Sequence, residues 1–218
     1  MDEAKWERYA ALGGIWFVVL SVISAFLPGA PPSTDDSAEK IAKYFSDHAG
    51  GIEAAQLLAG LGLIGLLWWF GSLWRLMVKA EDGRPRMTVV ALAGLTLGGA
   101  MALAGGAITS AVALQHQAVG GGAKFFYILS LVLFASGGFG LVVHIAAVTS
   151  LSYRTKLFAP WINIIGWIAA LLFLIGTIGS ASDAAAFGFI GLFAFLAWCV
   201  WIVVVSLNMW NRTEASTT

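Results

Sequence analysis

Charge is the scarcest commodity in this chain: 11% of its 218 residues are Asp, Glu, Lys or Arg, while 59% are hydrophobic. A soluble domain typically carries about 25% charged residues, so this deficit excludes water as the solvent for most of the surface. A mean hydropathy of +0.85 points the same way. Cysteine is almost absent. The single Cys199 lies in an apolar run and excludes an intrachain disulfide. No excess of positive charge exists, because Lys plus Arg and Asp plus Glu both number 12. That balance excludes a nucleic-acid footprint. Every lysine sits in a loop, a tail or a helix end, which excludes the retinal Schiff base that needs a lysine buried in a span. Neither G-x-S-x-G nor H-E-x-x-H occurs, so serine-hydrolase and zinc-protease chemistry lack their signatures.

What the chain has in abundance is apolar runs of the length, about 20 residues, that crosses a bilayer as a helix. Six occur, at 9–27, 54–77, 87–114, 125–151, 157–178 and 184–210. Lys5 and Arg8 precede the first, as they would in a secretory signal, but the run exceeds the 7–15 residues of about the usual signal core. It reads as a retained span. Basic residues then set the orientation. Lys5, Arg8, Arg75, Lys79, Arg84, Arg86, Arg154, Lys156 and Arg212 fall on one side; Lys40, Lys43 and Lys124 fall on the other. The fold class is therefore all-α, a polytopic bundle of six transmembrane helices in one domain over 1–218, with both termini in the cytoplasm.

The loop after the first span is the one soluble-looking segment. Beyond Pro28, Pro31 and Pro32, Asp36 is placed to cap a helix whose third position is Glu39. Ile41, Tyr44, Phe45 and His48 then recur at the spacing of one apolar helical face. Lys40, Lys43 and Asp47 take the wet side, and Gly50-Gly51 ends the pattern. A short extracytoplasmic amphipathic helix over 36–49 is predicted, lying over the outer mouth of the bundle or on the membrane interface. Trp6, Trp74, Tyr127, Tyr153, Trp161 and Trp210 stand near span ends, where interfacial anchors belong.

Lipid gives helices no hydrophobic reason to associate, so small residues must let them pack closely. Gly94, Gly98, Ala102, Gly106 and Ser110 recur every fourth residue in span three, and Ser136, Gly140 and His144 do so in span four. Both spans are expected at the centre of the bundle. Gly60-Leu61-Gly62-Leu63-Ile64-Gly65 matches G-x-G-x-x-G literally. It lies within a span rather than at a strand-to-helix turn, so helix packing is its reading. No cofactor is expected.

Two sets of polar residues remain as candidate sites. His144 sits in the inner half of span four, where ionisable groups are rare and face protein or water. A neutral imidazole there can bind a ligand, relay protons or coordinate a metal, or it can lock two helices through a hydrogen bond to Thr109, Ser130, Asn163 or a carbonyl. A ligand site around it would use Ser136 and Gly140, with Trp68, Trp69 and Phe70 as an aromatic wall. The second set gathers at the outer face: Asp47, His48, Glu53, Gln56, Gln115, His116, Gln117 and Asp183. His48, Glu53, His116 and Asp183 together supply the donor types of a divalent-metal site, although each also suits the wet end of a helix.

Asp36-Ser37-Ala38-Glu39-Lys40-Ile41-Ala42-Lys43-Tyr44-Phe45 resembles a segment of an uncharacterised family of bacterial, largely actinobacterial, membrane proteins, DUF4386-like. So does Gly140-Leu141-Val142-Val143-His144, followed by a basic loop with Phe158-Ala159-Pro160-Trp161 and Gly166. The resemblance implies a multi-span fold in a bacterial plasma membrane and no agreed activity.

The leading functional expectation is a non-enzymatic membrane protein. It would bind a lipid, an apolar small molecule or a partner subunit in a pocket under the outer helix, in the bilayer and as a possible oligomer. A small transporter or channel, proton-linked through His144, is the alternative. An intramembrane metalloenzyme built on the outer polar cluster is the third.

Overall fold

The computed structural model describes residues 6, 9–115, 122–179 and 186–215. Within them the chain forms seven helices and no strand: α1 (Gly13–Phe26), α2 (Ala38–Asp47), α3 (Ala49–Ala80), α4 (Arg86–Leu114), α5 (Ala123–Thr155), α6 (Pro160–Gly179) and α7 (Ala186–Ala215). All but α2 are long and apolar enough to cross a membrane, α1 counting from Tyr9. This is a multi-pass helical membrane protein. Two spans, α3 and α5, run longer at both ends than hydropathy alone marked them. The 32 residues of α3 rise about 48 Å at about 1.5 Å each, well past a hydrocarbon core of about 30 Å. Polar turns at its two ends therefore stay helical outside the apolar run.

The six spans form a closed ring. Each packs on the next in the order α1, α3, α4, α5, α6, α7, and α7 returns to α1. Short links make neighbours antiparallel, so the ring has a near end, holding both ends of the described chain, and a far end, capped by α2. The most extensive contact is between α4 and α5. A Cβ on Gly140 would lie 2.6 Å from the Gly98 nitrogen and 2.7 Å from the Gly94 oxygen, so the backbones touch.

The small-residue ridge of α4 does not keep to one face. Four residues turn a helix by about 400°, so an every-fourth pattern drifts about 40° per step. Gly94 and Gly98 meet α5, whereas Gly106 faces Gln56 of α3 and Ala102 is exposed. The α5 contact passes instead through Met101 and Gly105, which meet Gly137 and Ser130. The same drift corrects the reading of α5. Gly137, Gly140 and His144 are buried, and Ser136 is exposed.

Helix boundaries come from identifiable local bonds. Glu81, after α3, turns its carboxylate onto the start of α4, accepting from Met87 N–H at 2.7 Å, Thr88 N–H at 2.9 Å and Thr88 Oγ1 at 2.6 Å. An acid there satisfies free N–H groups and complements the helix dipole. Lys156, in the left-handed region at φ 56°, ends α5. Phe158 N–H then donates to Ser152 Oγ at 3.0 Å, and α6 starts at Pro160, where proline costs no hydrogen bond. The Arg212 guanidinium closes the near end, donating to the Leu157 carbonyl and lying over the Phe158 ring.

At the far end α2 begins one residue later than its sequence suggested. Ser37 is the cap, its Oγ accepting Lys40 N–H at 3.3 Å. Asp36 instead accepts from Ser33 N–H at 2.9 Å and Lys40 Nζ at 2.8 Å, closing the turn before the helix. Ile41 and Phe45 are fully buried beneath α2, with Ile52, Val112, Ala113, Ala123 and Tyr127. Tyr127 is therefore no interfacial anchor. Its hydroxyl donates to the Pro32 carbonyl at 2.8 Å, and Lys124 Nζ donates to the Asp36 carbonyl at 2.9 Å. These two bonds strap the loop before α2 to α5. Trp6, Tyr153 and Trp161 do lie exposed, as anchors should.

Candidate functional site

The larger core lies toward the near end and is unusually aromatic. Trp69 and Phe70 of α3, His144 of α5, and Trp198 and Trp201 of α7 converge there. Trp69 and Trp201 meet edge-on at 6.2 Å between centroids, and His144 lies 5.6 Å from Phe70 and 6.1 Å from Trp201. Edge contacts of this kind add about 0.5–1.5 kcal/mol each beyond packing area.

His144 is wholly buried, with Nδ1 3.0 Å from the Ala91 carbonyl of α4. A carbonyl only accepts, so Nδ1 carries the proton and donates, which leaves Nε2 as a bare acceptor. Nε2 has no partner, nor do the buried indole N–H groups of Trp69 and Trp198. The bond to Ala91 crosses the α4–α5 contact one turn from the Gly94–Gly140 approach. It is the carbonyl lock that the sequence allowed, and Thr109, by contrast, donates to Gly106 of its own helix.

The other residues proposed for a ligand site around His144 separate. Gly140 is taken up by the helix crossing, and Trp69 and Phe70 fill the core. Trp68 is 54% exposed on the outside of α3 against Trp6, and Ser136 is also on the outside. The space under α2, where a pocket was expected, is filled by the Ile41–Phe45–Tyr127 cluster.

The outer polar set separates too. His48 Nδ1 lies 3.0 Å from the Tyr44 carbonyl, its ring stacks on Tyr44 at 4.7 Å, and Gly29 passes beneath it. Asp47 pairs with Lys43 at 2.5 Å. His116 and Asp183 lie outside the described residues. Among the described residues no three of His, Cys, Asp and Glu gather as a metal would require.

Glu53 belongs to a different feature, a groove of about 430 Å³ between α3 and α4 that opens sideways from the far half of the bundle. Glu53, Gln56 and Ser110 line its upper part; Leu57, Gly60, Leu61 and Ile64 continue it down α3. From Glu53 to Ile64 the helix rises about 16 Å. Ser110 Oγ is buried there without a hydrogen-bond partner. A Cβ on Gly60 would meet nothing within 4 Å, so the groove is open at that point. The groove is thus polar at its top and apolar below. The sequence offered one signal for this site: Glu53, Leu57, Gly60, Leu61 and Ile64 share a helical face, with a carboxylate on the lipid side.

Searches against protein-family models, curated proteins and solved structures found no match to this chain. What the fold defines is a class: a six-span, multi-pass helical membrane protein.

Proposed function

We propose that this protein binds one amphiphile from the bilayer in the lateral α3–α4 groove, its head at Glu53, Gln56 and Ser110 and its chain along Leu57 to Ile64. The observation that carries the reading is the buried Ser110 hydroxyl without a partner at the polar top of an apolar groove. A buried hydroxyl left unsatisfied costs about 1–3 kcal/mol, and rotation of the Ser110 side chain toward the groove lets a bound head group recover it. Glu53 and Gln56 add a carboxylate and an amide, so the preferred head carries hydrogen-bond donors: an ammonium or hydroxyls. The role is non-enzymatic binding, and His144 serves as a lock between α4 and α5.

In the same reading the membrane is a bacterial plasma membrane with both termini in the cytoplasm, supported by the bias of Lys and Arg toward the near end. Membership of the DUF4386-like family belongs to it as well, supported by the 36–45 and 140–144 segments. Binding of dodecylamine and of dodecanoate to the purified protein, followed by native mass spectrometry, tests it. The amine should bind one per chain and the carboxylate weakly. Gly60→Phe, which fills open space, should abolish binding in a protein that still melts like the parent. Equal binding of both probes, or an unaffected Gly60→Phe variant, would overturn the proposal.

A further inference from the structure

A second cavity, of about 420 Å³, opens at the near end between the α3–α4 turn and the last turn of α5. Three arginines line it: Arg84 in the turn, Arg86 at the start of α4, and Arg154 near the end of α5. None of the three guanidiniums has an ion-pair partner among the described residues. Two carboxylates also line the cavity, but they do not balance the arginines. Glu81 is committed to the N–H groups and hydroxyl at the start of α4. Asp82, at φ 52° in the turn, is the other. The cavity keeps a net positive charge. Ala80, Met87 and Leu151 supply its apolar wall, with Thr155 beside Arg154.

Guanidinium is the side chain suited to phosphate, because its planar fork offers two parallel donors to two oxygens. Helix N-terminal N–H groups would also attract an anion, but Glu81 already occupies those of Met87 and Thr88. Recognition at this cavity therefore falls to the arginines. Its position favours a head group over a solute. It sits where spans leave the apolar core, beside Tyr153, which is 72% exposed at the level of an interfacial anchor, and Met87 and Leu151 offer the glycerol and upper chain an apolar contact.

We infer that this near-end cavity is a phosphate site for an anionic phospholipid of the adjoining leaflet, held by Arg84, Arg86 and Arg154. The site is independent of the lateral groove and stands or falls separately.

The test measures binding of phosphatidylglycerol, of diacylglycerol with the same chains, and of inorganic phosphate to the detergent-purified full chain. A Gly60→Phe background silences the groove. Phosphatidylglycerol should bind and diacylglycerol should not. Arg84→Gln with Arg154→Gln should weaken phosphatidylglycerol by about a hundredfold or more, because each guanidinium loses a charge-assisted hydrogen bond to the phosphate worth about 1.5–3 kcal/mol. Lys79→Gln with Lys156→Gln removes the same charge from the same end outside the cavity, and should weaken binding far less than the arginine pair does, because it removes surface potential and no hydrogen bond to the phosphate. Displacement of the lipid by millimolar inorganic phosphate would identify the phosphate group itself as the ligand and admit soluble phosphates as a second source. Equal binding of diacylglycerol, or an equal loss in the lysine pair, would overturn the inference, the latter because surface potential alone would then explain the affinity.

Discussion

Gly140→Ala should be among the most damaging methyl additions in the molecule, although it adds one carbon. The new Cβ would sit 2.6 Å from the Gly98 nitrogen and 2.7 Å from the Gly94 oxygen, both backbone atoms that no rotamer change can move. Restoring an ordinary contact of about 3.5 Å requires α4 and α5 to part by close to 1 Å, and overpacking of this kind costs about 1–3 kcal/mol. The same parting stretches the His144 Nδ1 to Ala91 bond from 3.0 Å beyond hydrogen-bond range, leaving a buried N–H that costs about 1–3 kcal/mol more. Alanine returns about 1 kcal/mol through its better helix propensity. The net loss is about 1–5 kcal/mol, and each kcal/mol lowers the melting temperature by about 2–4 °C in a chain of this size. Cys199, the lone cysteine and a buried one, makes the assay direct, since a thiol-reactive fluorophore reports its exposure on heating. Gly60→Ala is the control. Nothing lies within 4 Å of its Cβ, so it should melt at or slightly above the parent. If Gly140→Ala melts with Gly60→Ala, the α4–α5 contact is not the close approach described.

Two further outcomes are expected. The Glu81 carboxyl is pushed up by desolvation, but the donors from Thr88, Met87 and Arg86 outweigh this and hold its pKa below the ordinary 4.5. A depressed folded value means stability that is full above about 4.5 and lost as pH falls below it. Melting should therefore fall with acidification through that range, and Thr88→Val should shrink the pH dependence and cost about 1 kcal/mol at neutral pH. In a Cys199→Ala background, a cysteine at Asp35 should react with an impermeant maleimide on intact cells, whereas one at Arg84 should not. Labelling at Arg84 from outside would reverse the topology.

The spans were legible in the sequence because burial in lipid asks only for a long apolar run, and every one of the six appears. Their ends were less so, since polar turns of α3 and α5 stay helical beyond the apolar stretch. Which face a span buries was misjudged where the pattern repeated every fourth residue. Ser136 lies about 80° around α5 from His144 and ends outside the bundle. His144 was found from its type and depth, and its partner is a main-chain carbonyl, which no sequence pattern announces. Three lining residues of the groove, Gly60, Leu61 and Ile64, read in sequence as packing residues. They line an open groove because α4 leaves that face of α3 uncovered.

A density map of the protein in a lipid nanodisc tests the groove most directly. An elongated density with its head within hydrogen-bond reach of Ser110 Oγ and Glu53, running past Gly60 toward Ile64, is the predicted result. A groove without density, or one filled by a helix of a second copy of the chain, would contradict it.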